Sequence, residues 1–250
     1  MAVMDEFREE REAIKNGTRQ QKYQYFKDYY RTPVLIALVA CIIIGAFIFQ
    51  VLTNKEQAFL GVFLNCSPNA DNQWFKEEFA EQAKISLDEY DVMFDTSASF
   101  ILHSFDEQSQ LTVQKVSTYF GVGDLDVLLG TGEEFSYYST GGTFADLRKV
   151  LTDEQIKKYE PYFYYINETE IGLVSNAMLN DTIETVEISD PKDPDSMEKP
   201  IPVGIYVKSN SKLNNAYNFR NAEDGIVIGV LSNTSHLEST QAFIDYLMAD

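Results

Sequence analysis
From Pro33 to Leu52 the chain reads PVLIALVACIIIGAFIFQVL, twenty residues with one polar side chain, Gln50, and no charge. As a helix rising about 1.5 Å per residue, such a run is about 30 Å long, the thickness of a bilayer's hydrocarbon core. A helix on the surface of a soluble protein carries charge along one face. Segment 32–52 therefore predicts a transmembrane helix, and the rest of the chain must be organised around it.

Two other uses of an apolar segment fit less well. A cleaved signal peptide has a shorter apolar core and a small-residue exit, and IFQVLTN is no such exit. Leu38-Val39-Ala40-Cys41 resembles a lipobox, but IIIGAFIF follows Cys41, where a lipobox cysteine would meet polar sequence. Cys41 is read as a small residue buried in the membrane. Residues 1–32 hold seven Lys or Arg, with Lys22, Lys27 and Arg31 nearest the span, whereas only Lys55 lies close on the other side. The positive-inside rule then expects a cytoplasmic tail at 1–31 and an extracellular domain at 53–250, in a single-pass protein of the cell membrane. Tyr29 and Tyr30 suit the interfacial aromatic belt.

The expected outer part carries 13 basic and 33 acidic side chains, a net charge of −20. That excludes a nucleic-acid partner, which demands a basic footprint. It also discourages contact with anionic lipid. The second cysteine, Cys66, lies on the other side of the span from Cys41, so no intrachain bridge is expected and the domain must hold by packing. Cys66 is read as a small buried residue.

Along the domain, apolar runs alternate with helical periodicity. AFLGVFLN (58–65), YDVMFDTS (90–97) and LDVLLG (125–130) read as strands, separated by helices over 72–84 and 106–120. Two short helices follow in 141–160, the second opened by a capping box, Thr152-x-x-Gln155. Strands are expected at 161–166, 201–208 and 226–233, and a last helix after a second capping box, Ser235-x-x-Glu238, with Phe243, Ile244 and Leu247 facing inward. Residues 167–200 alternate loosely and are expected as a β-rich insertion, ending in the polar loop PKDPDSMEKP. The order β-α-β-α-β predicts an α/β domain with a mixed, mostly parallel sheet and helices on both faces.

Catalytic signatures are missing: there is no G-x-S-x-G, H-E-x-x-H, P-loop or C-x-x-C. His103 and His236, the two histidines, are read as surface residues without metal partners. Asp190, Asp193, Asp195 and Glu198 form an acidic loop lacking the glycine turn of an EF-hand, and are read as solvated. No cofactor, metal or enzymatic activity is expected. In α/β sheets, ligands bind at the carboxyl ends of the strands. That places candidate ligand-binding residues at Asn65 and Ser67, at Thr96 and Ser97, and in the loop Thr131, Gly132, Glu133 and Glu134. Each also has a plain structural use: turn formation for Asn65 to Pro68, helix capping for Thr131, and the positive helix end for Glu133 and Glu134.

The stretch DLDVLLGTGEEFSYYSTGGTFADLRKVL, through Gly142, Phe144, Asp146 and Leu147, resembles extracellular solute-binding proteins of bacterial ABC transporters, the type 2 periplasmic-binding-protein fold. The ending GIVIGVLSNTSHLESTQAFIDYL resembles theirs through Asn233, Ser235, His236, Phe243, Ile244, Tyr246 and Leu247. The resemblance covers about residues 58–165 and 201–248. It implies a membrane-tethered extracellular binding module for a small solute or peptide, accessory to a transporter. Such proteins have two lobes around their ligand, and they are usually lipid-anchored or free. Here only about 60 residues separate the first-lobe strands from the closing strand and helix, so a single, degenerate lobe is expected. The alternative is a non-catalytic scaffold of the cell envelope that has lost the cleft and contacts an envelope or transporter protein. The leader FREEREAIKNGTRQQKYQYFKDYYRTP is similar to those of anchored proteins of Gram-positive bacteria.

Overall fold
The structure, a computed structural model, describes residues 15, 17–101, 106–173, 176, 187–209 and 211–249. It divides into two units, residues 1–54 and 55–250. In the first, helix α1 (Arg19–Tyr25) is opened by a capping box between Thr18 and Gln21. A π-helical turn, Phe26–Tyr30, leads directly into α2 (Arg31–Thr53). Among the described residues α2 is the one helix long and apolar enough to cross a membrane, and none of its span is buried within the structure.

The second unit begins with β1 (Glu56–Phe63), then β2 (Cys66–Pro68), α3 (Gln73–Gln82) and β3 (Tyr90–Asp95). Helix α4 (Glu107–Val122) leads to β4 (Val127–Thr131) and α5 (Gly132–Thr140). The short helices α6 (Leu147–Val150) and α7 (Asp153–Tyr159) precede β5 (Phe163–Asn167). Then come β6 (Pro200–Tyr206), α8 (Leu213–Ala216), β7 (Tyr217–Phe219), β8 (Ile226–Val230) and α9 (Leu237–Met248).

Six strands form one sheet in the order β3-β1-β4-β8-β6-β5. The β1–β3 and β1–β4 pairs are parallel, and the remaining three pairs are antiparallel. The sheet is thus mixed, with β3, β1, β4 and β6 running one way and β8 and β5 the other. Alternate residues of β1 feed two separate cores. Phe59 and Phe63 pack in one layer with Phe75 and Phe79 of α3 and Phe243 and Leu247 of α9. Leu60, Val62 and the following Leu64 pack in the other, with Val116 of α4 and Phe135 and Tyr138 of α5. Helices therefore cover both faces, which is why the central strands read as unbroken apolar runs rather than alternating ones.

Three local expectations change. Ser235 and Glu238 form no capping box: α9 starts at Leu237 after His236, without a side-chain cap, because the Ser235 hydroxyl is spent on the Gly123 carbonyl, 3.0 Å away. Residues read as turn and loop, Cys66–Pro68 and Tyr217–Phe219, instead pair antiparallel as a small second sheet. Around the polar loop, the described residues form 3-10 turns at Glu168–Glu170 and Pro194–Ser196; the expected β-rich core of that insertion, 177–186, lies outside the described residues.

Candidate functional site
The first crossover from β1 leads through α3 to β3 on one side, and the next, through α4, brings β4 to the other side. The order therefore reverses between β1 and β4, and the crevice at the carboxyl ends of these two strands is where such sheets accept ligands. Two glycines of the sheet shape the buried layer under α5. A Cβ on Gly229 of β8 would lie 2.6 Å from the Phe144 ring, and one on Gly204 of β6 would lie 2.7 Å from the Phe135 ring. These close approaches make a slot in which Phe135 and Phe144 stack, with centroids 4.5 Å apart and planes 6° from parallel. Phe135 belongs to α5, so the stack fixes where the start of α5 meets the crevice.

Asn65 closes the crevice from below. It adopts a left-handed backbone, φ 50°, tolerated by asparagine better than by most residues. Its amide nitrogen donates to the Phe100 carbonyl at 2.5 Å and to Glu134 Oε1 at 2.8 Å. Its side-chain oxygen accepts the Phe100 N–H at 2.9 Å. Its carbonyl accepts the N–H of Arg220 at 3.0 Å. Asn65 is a strut that joins the ends of β1, β3 and β7 to α5. The Thr131 hydroxyl donates to Glu134 Oε2, so the Glu134 carboxylate is held at both oxygens. Burial is the main influence on this group and lifts its pKa above the ordinary glutamate value; the neighbouring Glu133 charge adds to the lift, while Asn65 and the residue's own N–H oppose it.

Thr131, Gly132, Glu133 and Glu134 line a pocket of about 240 Å³ with Asn221, Glu223 and Asp224. It adjoins a larger groove of about 430 Å³, which shares Gly132, Glu133 and Asp224 and extends over Ser136, Tyr164, Ile188, Asp190, Pro191, Lys192 and Tyr206. Tyr164 and Tyr206 lie with centroids 5.7 Å apart. The Lys192 ammonium sits over the Tyr206 ring, 4.8 Å from its centroid. The outer wall is pinned to β5 through the Tyr165 N–H, which donates to the Pro191 carbonyl at 3.0 Å. Asp190, read from sequence as part of a solvated loop, is thus a wall of this groove.

The other expected site residues lie elsewhere. Ser67 is exposed on the small sheet, 3.5 Å from the Asn218 carbonyl. Ser97 caps the end of β3 through Asp95 Oδ1 at 2.8 Å and accepts from Lys115 at 2.6 Å. Neither Ser97 nor the half-buried Thr96 borders the groove. Tyr164, Tyr206 and Asp224 carried no sequence signal, because pairing of β5, β6 and β8 is what gathers them; Asp190 stood out in sequence only as part of an acidic loop.

A second polar cluster lies at the opposite, amino end of β4. Asp126 is fully buried; its Oδ2 accepts the Leu60 N–H at 2.8 Å, and its Oδ1 accepts the Thr234 hydroxyl and lies 3.1 Å from His236 Nδ1. His236 is therefore a partner of a buried carboxylate rather than a free surface histidine. Burial lifts the Asp126 pKa, against the hydrogen bonds from Thr234 and Leu60 and the His236 ring. This cluster ties the turn before α9 to the sheet. His103 lies outside the described residues. Among the described residues no three His, Cys, Asp or Glu side chains come together to hold a metal ion. Compared with known proteins, the chain matches no family model, no curated protein and no solved structure.

Proposed function
We propose that this chain is a single-pass membrane protein whose α/β domain is an extracellular binding module, a single lobe like that of type 2 solute-binding proteins, which takes a small solute or peptide without transforming it. The observation that carries the reading is the groove of about 430 Å³. Its volume falls within the range of small-ligand sites, about 300–1,000 Å³. It lies beyond the carboxyl ends of β4 and β6, beside Tyr164 of β5, with aromatic walls and a few polar groups. The uncharged run 33–52 of helix α2 and the basic residues before it support the anchoring and the outward orientation of the domain. One observation favours the second reading, a scaffold of the cell envelope. The described residues between β5 and β6 stay close to β5, through Pro191 on Tyr165 and through Ser189 on Glu170 at 3.0 Å, and among the described residues no second lobe faces the groove.

Thermal unfolding of the full chain in nonionic detergent, against a panel of sugars, amino acids and short peptides, separates the two. A ligand at 100 times its Kd contributes about 2.7 kcal/mol, a rise of roughly 5–10 °C for a domain of this size. The binding reading expects at least one such shift, lost in Glu133→Ala, whose side chain is exposed. A flat panel, with an envelope protein crosslinked to the groove face in cells, would establish the scaffold instead.

A further inference from the structure
We infer that the ligand of this groove is an organic cation, a primary ammonium or guanidinium group on a small molecule or peptide side chain, and that Lys192 is the internal group it displaces. The inference rests on the binding reading above and names its ligand class. Lys192 already shows the chemistry: its ammonium lies 4.8 Å from the centroid of Tyr206, within the distance at which a ring's quadrupole attracts a cation. Tyr164 extends that aromatic wall. Glu133, Asp190 and Asp224 line the same groove, and Lys192 is the one basic residue among its described lining residues. Burial is the main cause that raises the Tyr206 hydroxyl's pKa, followed by neighbouring Tyr164, and the Asp190 and Asp224 charges add to it. An anionic ligand would meet three carboxylates, and like-charge juxtaposition disfavours it. Among the described residues no three His, Cys, Asp or Glu side chains gather to hold a bare metal ion. A flat or extended organic cation satisfies both walls, stacking on tyrosine and pairing with carboxylate.

The main chain at Lys192 is fixed, its N–H donating to Asp190 Oδ1 at 2.9 Å, but its ammonium is on a flexible four-carbon stem. A competing cation can therefore take the Tyr206 face while the lysine swings to solvent. Calorimetric titration of the full chain in nonionic detergent, with agmatine as the cation, glutarate as the anion and glucose as the neutral probe, tests this. Agmatine is expected to bind saturably and alone of the three. Binding should weaken about tenfold in Tyr206→Leu and in the exposed Glu133→Gln, hold in Tyr206→Phe, and tighten in Lys192→Met. Binding of glutarate or glucose in place of agmatine would overturn the cation assignment and leave the binding module standing. Agmatine binding unchanged in both Glu133→Gln and Lys192→Met would place it outside the groove and overturn the assignment. No heat from agmatine, in the wild type or in Lys192→Met, would overturn the cation assignment, while a shift of the thermal-unfolding panel by another ligand would leave the binding module standing.

Discussion

Glu134 is the residue whose chemistry is most constrained by its place. It is 6 % exposed, held by Asn65 and Thr131, and its pKa is raised chiefly by burial. A raised carboxylate favours folding in its protonated form. That contribution is full below the ordinary value of 4.5 and is lost as the pH rises through the raised value. Glu134→Gln keeps an oxygen for Asn65 and offers N–H to the Thr131 hydroxyl, without the charge. Urea midpoints measured between about pH 4 and 8 should therefore fall less with rising pH in the variant than in the wild type, with Asp126 contributing equally to both. Equal slopes would show that Glu134 is not buried as an acid. Cys66 shows the same effect of burial on a thiol. Burial is the main cause that pushes its thiol up to about 12, and the thiolate is the reactive form. Alkylation at neutral pH, followed by mass spectrometry, should leave Cys66 unmodified until the domain is unfolded. Rapid native modification would contradict its packing.

The strands and helices were legible where a single physical signal dominated. β1, β4 and β8 lie between two helical layers, so each reads as an apolar run, and α7 shows its Thr152–Gln155 capping box in sequence and structure alike. The small β2–β7 sheet was not legible, since three residues beside a proline carry turn chemistry and their pairing partner lies about 150 residues away. The capping box expected at Ser235 failed for a related reason: Thr234 and Ser235 side chains are used by tertiary partners, Asp126 and Gly123. The same division runs through the site. The loop Thr131 to Glu134 is local and was visible as a strand-to-helix hand-over, whereas the tyrosine wall depends on β5, β6 and β8 meeting. What seats α5 against that wall is the glycine slot. Gly229→Ala forces a methyl group into the Phe144 ring and should cost about 1–3 kcal/mol, seen as a lower denaturant midpoint. Gly121→Ala, in α4 with nothing within 4 Å of its added Cβ, should stabilise by about 0.4–1 kcal/mol. If the two changes had similar effects, the slot would not be what positions the helix.

Taken whole, the chain joins an uncharged helix to an acidic α/β domain with two apolar layers and an open groove at one edge of its sheet. On the proposed reading, a net charge of −20 beyond the helix would keep that domain soluble beside a membrane and give the groove a field that draws cations. The central claim is that this groove is open and faces outward from the cell. It is tested most directly by a single cysteine at its rim, Glu133→Cys, probed in intact cells with a membrane-impermeant maleimide. The wild type serves as the blank, since its Cys66 thiol is raised to about 12 and Cys41 lies in the apolar span. The expected result is labelling of Glu133→Cys in intact cells to the extent reached after lysis, with the wild type unlabelled. Labelling that requires lysis, or that fails even in a native lysate, would contradict the account.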